Sequence, residues 1–139
     1  MSAPATQNGL VGLLLVSHSA AIADGLAEFV SQVAGPEVAI VAAGGGPEGT
    51  LGTDGDRVLA GLRDVAHGPG GVVLMDLGSS VLSVRAALQE LDAAESERIA
   101  VVDAPFVEGA IAAGVTASTG ASRDEVAAAA EEARGATKL

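Results

Sequence analysis

At 139 residues the chain has the length of one ordinary domain, and with 49% hydrophobic residues it can bury a core. A formal net charge of -11 argues against nucleic acid or an anionic membrane face as ligand, because phosphate repulsion would dominate both. It suits a basic protein partner or plain solubility. The absence of cysteine excludes disulfides, thiolate catalysis and thiolate metal sites, and no stretch approaches the roughly 18–20 apolar residues of a membrane span.

Residues 1–9 are polar, lack Lys and Arg and do not resemble a secretory signal, so they are expected to form a flexible extension on a cytoplasmic protein. Residues 10–139 read as one domain. Four short aliphatic runs, 11–16, 38–42, 71–75 and 99–102, are unalternating, as strands buried on both faces should be. Helical patterns separate them. Ile22, Leu26, Phe29, Val30 and Val33 share a face after the first run, and Gly35-Pro36 ends that helix. The second run leads into a glycine-rich loop, 44–55, and a helix through Val58, Leu59, Leu62 and Val65. Ser79-Ser80 open the next, with Val81, Val84, Leu88 and Leu91. Pro105 precedes a helix over about 107–117, and Ser122-Arg123-Asp124-Glu125 is a capping-box signature for a last one. The order β-α-β-α-β-α-β-α-α predicts an α/β fold, a doubly wound, mainly parallel sheet of four strands flanked by helices.

In such sheets ligands bind beyond the carboxyl ends of the strands. Those ends deliver Ser17-His18-Ser19, Gly44-Gly45-Gly46, Asp76-Leu77-Gly78-Ser79-Ser80 and Asp103 through Gly109. His18, one of two histidines, stands where the first strand meets its helix, and little else in the chain can do nucleophilic or acid–base chemistry near neutral pH. The helix dipole there disfavours imidazolium and stabilises an attached anion. Asp76 on the neighbouring strand can accept from one ring nitrogen, which fixes the tautomer and leaves the other as nucleophile. Each residue also has a plainer reading: a capping or packing role for His18, a cap or turn for Asp76, a solvated loop for His67. Gly44 to Gly46 can be a simple turn, and Glu108 can cap its own helix.

Leu15-Val16-Ser17-His18-Ser19, followed by Ala23-Asp24-Gly25-Leu26, resembles the active-site strand and helix of the mannose-type IIA phosphocarriers. These belong to the bacterial phosphoenolpyruvate-dependent phosphotransferase system, or PTS. Gly44-Gly45, Leu51-Gly52-Thr53, Met75-Asp76-Leu77-Gly78-Ser79-Ser80 and Ala104-Pro105-Phe106-Val107-Glu108-Gly109-Ala110 narrow the resemblance. They look like the phosphotransfer subunits of PTS-dependent dihydroxyacetone kinase, the DhaM group. Sugar-transporter IIA proteins have a different segment after the third-strand aspartate and lack the Pro-Phe-Val-Glu-Gly pattern. The resemblance runs from Gly9 to near Ala133.

The resemblance implies that His18 takes a phosphoryl group from the small carrier HPr while Asp76 orients its ring. The group then passes to ADP held on the nucleotide-binding subunit of the kinase, and a further subunit binds dihydroxyacetone covalently. The chain would be a shuttle with no cofactor and no metal of its own, nucleotide and magnesium residing on the partner. It would also be a homodimer, with edge strands or C-terminal segments in the contact. Ser19, Gly45, Thr53, Gly78, Ser79 and Ser80 are the expected phosphate-supporting residues: Gly45, Thr53, Ser79 and Ser80 as N–H or hydroxyl donors, Gly78 with Ala20 as room for a partner. Some members carry HPr and part of enzyme I on the same chain; this sequence is expected to meet separate donors. The polar N-terminal extension has no counterpart in the family pattern.

Two alternatives stand beside this reading. One is the IIA domain of a mannose-type sugar transporter. The other is a non-catalytic flavodoxin-like regulatory or binding module centred on an aspartate, with His18 structural. A response regulator would want an acidic cluster after the first strand to hold Mg²⁺, where this chain has Ser17-His18-Ser19. A purely structural interaction protein would not need polar residues gathered on one edge of the sheet.

Overall fold

The computed structural model describes residues 9–139, and the extension expected over 1–9 lies outside the described residues apart from Gly9. Four strands form one parallel sheet: β1 (Gly12–Ser17), β2 (Ile40–Gly44), β3 (Gly71–Met75) and β4 (Ile99–Val101), in the order β2-β1-β3-β4. The α/β expectation holds. The second strand starts two residues later than its apolar run suggests: Val38 is buried in the core, but pairing with β1 begins at Ile40.

Among the described residues six α-helices connect and cover the strands: α1 (Ala20–Ala34), α2 (Gly55–Val65), α3 (Ser79–Leu88), α4 (Ala93–Ser96), α5 (Phe106–Ser118) and α6 (Arg123–Glu132). Their starts follow local chemistry. Ser19 and Asp54 cap α1 and α2 by accepting from Ile22 and Asp56 N–H groups. Ser122 and Glu125 form the capping box of α6 as the sequence signals. The four-residue α4 was not expected; Asp92 and Glu95 make a capping box for this single turn.

β1 is buried along its whole length, which explains its unbroken aliphatic run. Leu13 and Leu15 face one side, with Val72, Leu74, α1, α5 and α6. Leu14 and Val16 face the other, with Val73, α2 and α3. The first connection thus packs on one face and the next two on the other. The topology reverses between β1 and β3, the place in such sheets where ligands bind beyond the strand ends.

Candidate active site

Val16 pairs with Met75 in the β1–β3 ladder, and the N–H of Asp76 continues it by donating to the Val16 carbonyl at 3.1 Å. His18 and Asp76 therefore leave neighbouring strands side by side, at the switch point. Asp76 accepts on both carboxylate oxygens. Oδ2 takes the Ser17 hydroxyl at 2.8 Å and the His18 backbone N–H at 3.0 Å. Oδ1 takes His18 Nδ1 at 2.9 Å, the Ser80 hydroxyl at 3.0 Å and the Leu77 N–H at 2.7 Å.

Burial pushes the Asp76 carboxyl up, but hydrogen bonds from the His18 N–H and ring, the Ser17 hydroxyl and the Leu77 N–H outweigh it. The result is a pKa of about 2, against an ordinary 3.8. Ionised, the carboxylate only accepts, so the proton of a neutral His18 ring sits on Nδ1. The lone pair is then on Nε2. There the Ser79 hydroxyl donates to it at 2.6 Å. The His18 side chain is one-quarter exposed, at 24%, so this nitrogen is oriented from inside yet open to approach. A ring held in this way is a nucleophile or base at Nε2.

The two serines at the start of α3 divide the work. Ser79 meets Nε2. Ser80, fully buried, gives its proton to Asp76 and lies 3.2 Å from Nδ1, so it braces the carboxylate and not the open nitrogen. The N–H groups of Gly78, the N-cap, and Ser79 have no partner inside the helix. Asp76 does not cap α3; Gly78 does.

The glycine-rich loop supports the site from the opposite side. Gly45 takes φ +84°, where a side chain would be strained, and its N–H donates to the Ser17 carbonyl at 3.1 Å. That corrects the sequence expectation: the Gly45 N–H is already engaged and is no donor to a phosphate. A Cβ at Gly44 would lie 2.6 Å from both Ala23 Cβ and the Ser19 carbonyl, so the glycine lets β2 reach the start of α1. Gly52 N–H binds the His18 carbonyl at 2.9 Å. Thr53 bridges to Gly45 and its hydroxyl pairs with that of Ser83 on α3 at 2.5 Å, so Thr53 ties the loop to α3. Ser19 caps α1, and its N–H donates to the Ser17 hydroxyl at 3.1 Å.

Ser17 and Ser83 are the participants that the sequence did not single out. Ser17, the one hydroxyl ending a wholly apolar strand, carried a signal; Ser83 carried none. Among the described residues the β4 end makes no hydrogen bond or ion pair to His18 or Asp76: Asp103 pairs with Arg134 at 3.7 Å and Glu108 with Lys138 at 3.0 Å. Among the described residues no group of three or more His, Cys, Asp or Glu could hold a metal ion. None of their helices is long and apolar enough to cross a membrane.

The family model described as "PTS system fructose IIA component" matches residues 12–127, from β1 into α6, with His18 and Asp76 inside it. The chain belongs to this family. Within the IIA family it is similar to "PEP-dependent dihydroxyacetone kinase 2, phosphoryl donor subunit DhaM" of Listeria innocua, 32% identical over 117 residues, which are 84% of this chain and 94% of that one. It is 38% identical over 120 residues to the "phosphoryl donor subunit DhaM" of Providencia stuartii, covering 84% of this chain, and spans only 25% of that relative's length. The subunit of the same name from Escherichia coli is 35% identical over 120 residues, with the same coverage of 84% and 25%. A crystal structure of a protein of unknown function shares the IIA fold at TM-score 0.79 and 34% identity, covering 92% of this chain and 96% of that one. The names of the three subunits agree with the narrower resemblance to the phosphotransfer subunits of dihydroxyacetone kinase.

Proposed function

We propose that the chain is a phosphohistidine carrier serving dihydroxyacetone kinase. It accepts a phosphoryl group from HPr on His18 and passes it to ADP bound on the nucleotide-binding subunit of the kinase. The observation that carries the reading is the clamped ring: Asp76 at 2.9 Å from Nδ1 and the Ser79 hydroxyl at 2.6 Å from Nε2. The names of the relatives support the choice of kinase over sugar transporter.

In the first step Nε2 attacks phosphorus as the bond from phosphorus to the donor breaks. The Ser79 hydroxyl turns from the lone pair to a phosphoryl oxygen, and the Gly78 and Ser79 N–H groups, without partners in the helix, are further donors at the start of α3. Nδ1 keeps its proton throughout. The ring becomes cationic on phosphorylation, and the Asp76 carboxylate stabilises that charge. In the second step a terminal phosphate oxygen of ADP displaces the ring, and the neutral imidazole returns to its starting tautomer. The chain needs no cofactor of its own in this scheme; nucleotide and magnesium sit on the partner. Cytoplasmic placement and a homodimer using the open sheet edges belong to the same proposal.

The test is phosphorylation of the purified chain by phosphoenolpyruvate, enzyme I and HPr, read by intact mass and acid lability. One acid-labile phosphate, absent in His18→Ala, supports the reading; transfer onward on addition of the kinase subunits with dihydroxyacetone identifies the acceptor. No incorporation from active donors overturns it.

A further inference from the structure

Two backbone N–H groups of the glycine-rich loop hold the chain at the histidine. Gly45 donates to the Ser17 carbonyl at 3.1 Å and Gly52 to the His18 carbonyl at 2.9 Å. Thr53, next after Gly52, bridges to Gly45, so the two donors belong to one folded unit. Gly52 stands at φ +128°, where glycine has wide freedom, so its own backbone preference does not fix the donor. The Thr53 hydroxyl ties this unit to α3 by pairing with the Ser83 hydroxyl at 2.5 Å.

The start of α3 needs such a tie. Its N-cap is Gly78, which offers no side-chain cap, and Ser80 holds the first turn to Asp76 at 3.0 Å. Ser83 stands four residues after Ser79, so both hydroxyls lie on one face of the helix. One meets His18 Nε2 at 2.6 Å and the other meets Thr53. Among the described residues the Thr53–Ser83 contact is the one hydrogen bond between residues 44–55 and α3, and neither hydroxyl has another partner. The contacts close a circuit. It runs from the His18 carbonyl through Gly52, Thr53, Ser83 and Ser79 back to the His18 ring.

We propose that Ser83 is a positioning residue for phosphoryl transfer, which acts through Thr53 to hold the Ser79 hydroxyl against Nε2 of His18. The inference rests on the phosphocarrier reading above. Ser79 has two duties in that reading: it meets the lone pair before transfer and a phosphoryl oxygen during it. Both require α3 and the His18 backbone to keep a fixed separation, and misplacement by about 1 Å can cost about 10²-fold in rate. Ser80 sets that separation on the Asp76 side of the ring. Ser83 sets it on the loop side, its own hydroxyl being engaged by Thr53.

The experiment labels the full chain from phosphorylated HPr over a range of donor concentrations. It compares wild type with Ser79→Ala, Ser83→Ala, Thr53→Val and the double variant Ser79→Ala/Ser83→Ala. Ser83→Ala and Thr53→Val should each lower the maximal labelling rate by about five- to ten-fold, with the half-saturating donor concentration within about two-fold of wild type. Ser83→Thr keeps a hydroxyl and should return the rate to within about two-fold of wild type. The double variant should be no slower than Ser79→Ala alone, because the tie acts through a hydroxyl already removed. The ¹⁵N signal of His18 Nε2, read without any donor, should move in Ser83→Ala toward its position in Ser79→Ala, while Nδ1 keeps its proton. Additive losses in the double variant, or an Nε2 signal unmoved in Ser83→Ala, would overturn the proposal. So would a slow Thr53→Val beside a normal Ser83→Ala, which would make Thr53 act directly. Thr53→Val, close in shape to the native residue, repeats the Nε2 reading if Ser83→Ala fails to fold. No labelling of the wild-type chain by active donors would instead remove the carrier reading, and the Nε2 signals would still decide whether Ser83 places Ser79.

Discussion

His18 holds Asp76 twice, through its backbone N–H to Oδ2 at 3.0 Å and through ring Nδ1 to Oδ1 at 2.9 Å. One residue thus grips both oxygens of one carboxylate. The backbone contact fixes where the carboxylate stands, and the ring contact then has little rotational freedom left. Ring orientation and tautomer are consequences of how β1 and β3 end side by side.

Asp76→Asn should keep the fold and lose the function. The amide can present either its oxygen or its NH₂ to Nδ1, so the proton is no longer held there, and it carries no charge to balance a phosphorylated ring. Phosphoryl transfer should slow by about 10²–10⁴-fold, in line with the loss of positioned acid–base control. Rapid-quench labelling measures this, and ¹⁵N shifts of the His18 ring report the tautomer directly. A rate within a few-fold of wild type, with Nδ1 still protonated, would take Asp76 out of the mechanism.

The same carboxylate makes stability depend on pH. Its folded pKa is about 2 and its ordinary value 3.8, so the folded state holds its proton more weakly than the unfolded chain. The stabilisation is fully present above pH 3.8 and is lost as pH falls through about 2. Its size is on the order of 2 kcal/mol. Urea unfolding near pH 6 and again near pH 2 should show wild type losing this increment relative to Asp76→Asn. Equal losses in both proteins would mean the hydrogen bonds to Asp76 do not favour its charged form.

Much of this arrangement was legible in advance. β3 spans residues 71–75 as its apolar run predicts, because Val72, Val73 and Leu74 are all buried, with no polar face to blur the ends. His18 and Asp76 were legible because each follows a run that could only be a buried strand. The separate duties of Ser79 and Ser80 were not: successive helical residues point about 100° apart, and that one step decides which side of the ring each hydroxyl meets. The Thr53–Ser83 contact joins residues thirty positions apart and leaves no local pattern. The sequence does not show that the Gly45 N–H is engaged, because its acceptor, the Ser17 carbonyl, comes from a different strand.

Ser17→Ala removes a buried hydroxyl that donates to Asp76 and accepts from the Ser19 N–H. Both partners lose a bond away from water, which should destabilise by about 1–3 kcal/mol. The Asp76 pKa should rise toward its ordinary value, because one of the contacts that lower it is gone. Transfer should slow less than in Asp76→Asn, since Nδ1 keeps its acceptor. Denaturation, the acid limb of the stability profile and labelling rates together separate these effects; an unchanged acid limb would show that the Ser17 contact does not favour the charged carboxylate.

Gly44→Val tests how β2 reaches the site. Even a Cβ would stand 2.6 Å from Ala23 Cβ and the Ser19 carbonyl, and 2.9 Å from Ala20 Cα. These atoms form the first turn of α1 and its cap, so they cannot yield as a flexible side chain would. The helix start must move away from the strand, and overpacking of this kind costs about 1–3 kcal/mol. Because His18 directly precedes the cap Ser19, the shift also disturbs the backbone N–H that holds Asp76 Oδ2. Gly44→Val should therefore lose both stability in urea and transfer rate, although no side chain at position 44 touches the ring. A variant that is destabilised yet transfers at the wild-type rate when folded would show that the strand–helix contact and the His18–Asp76 clamp are independent.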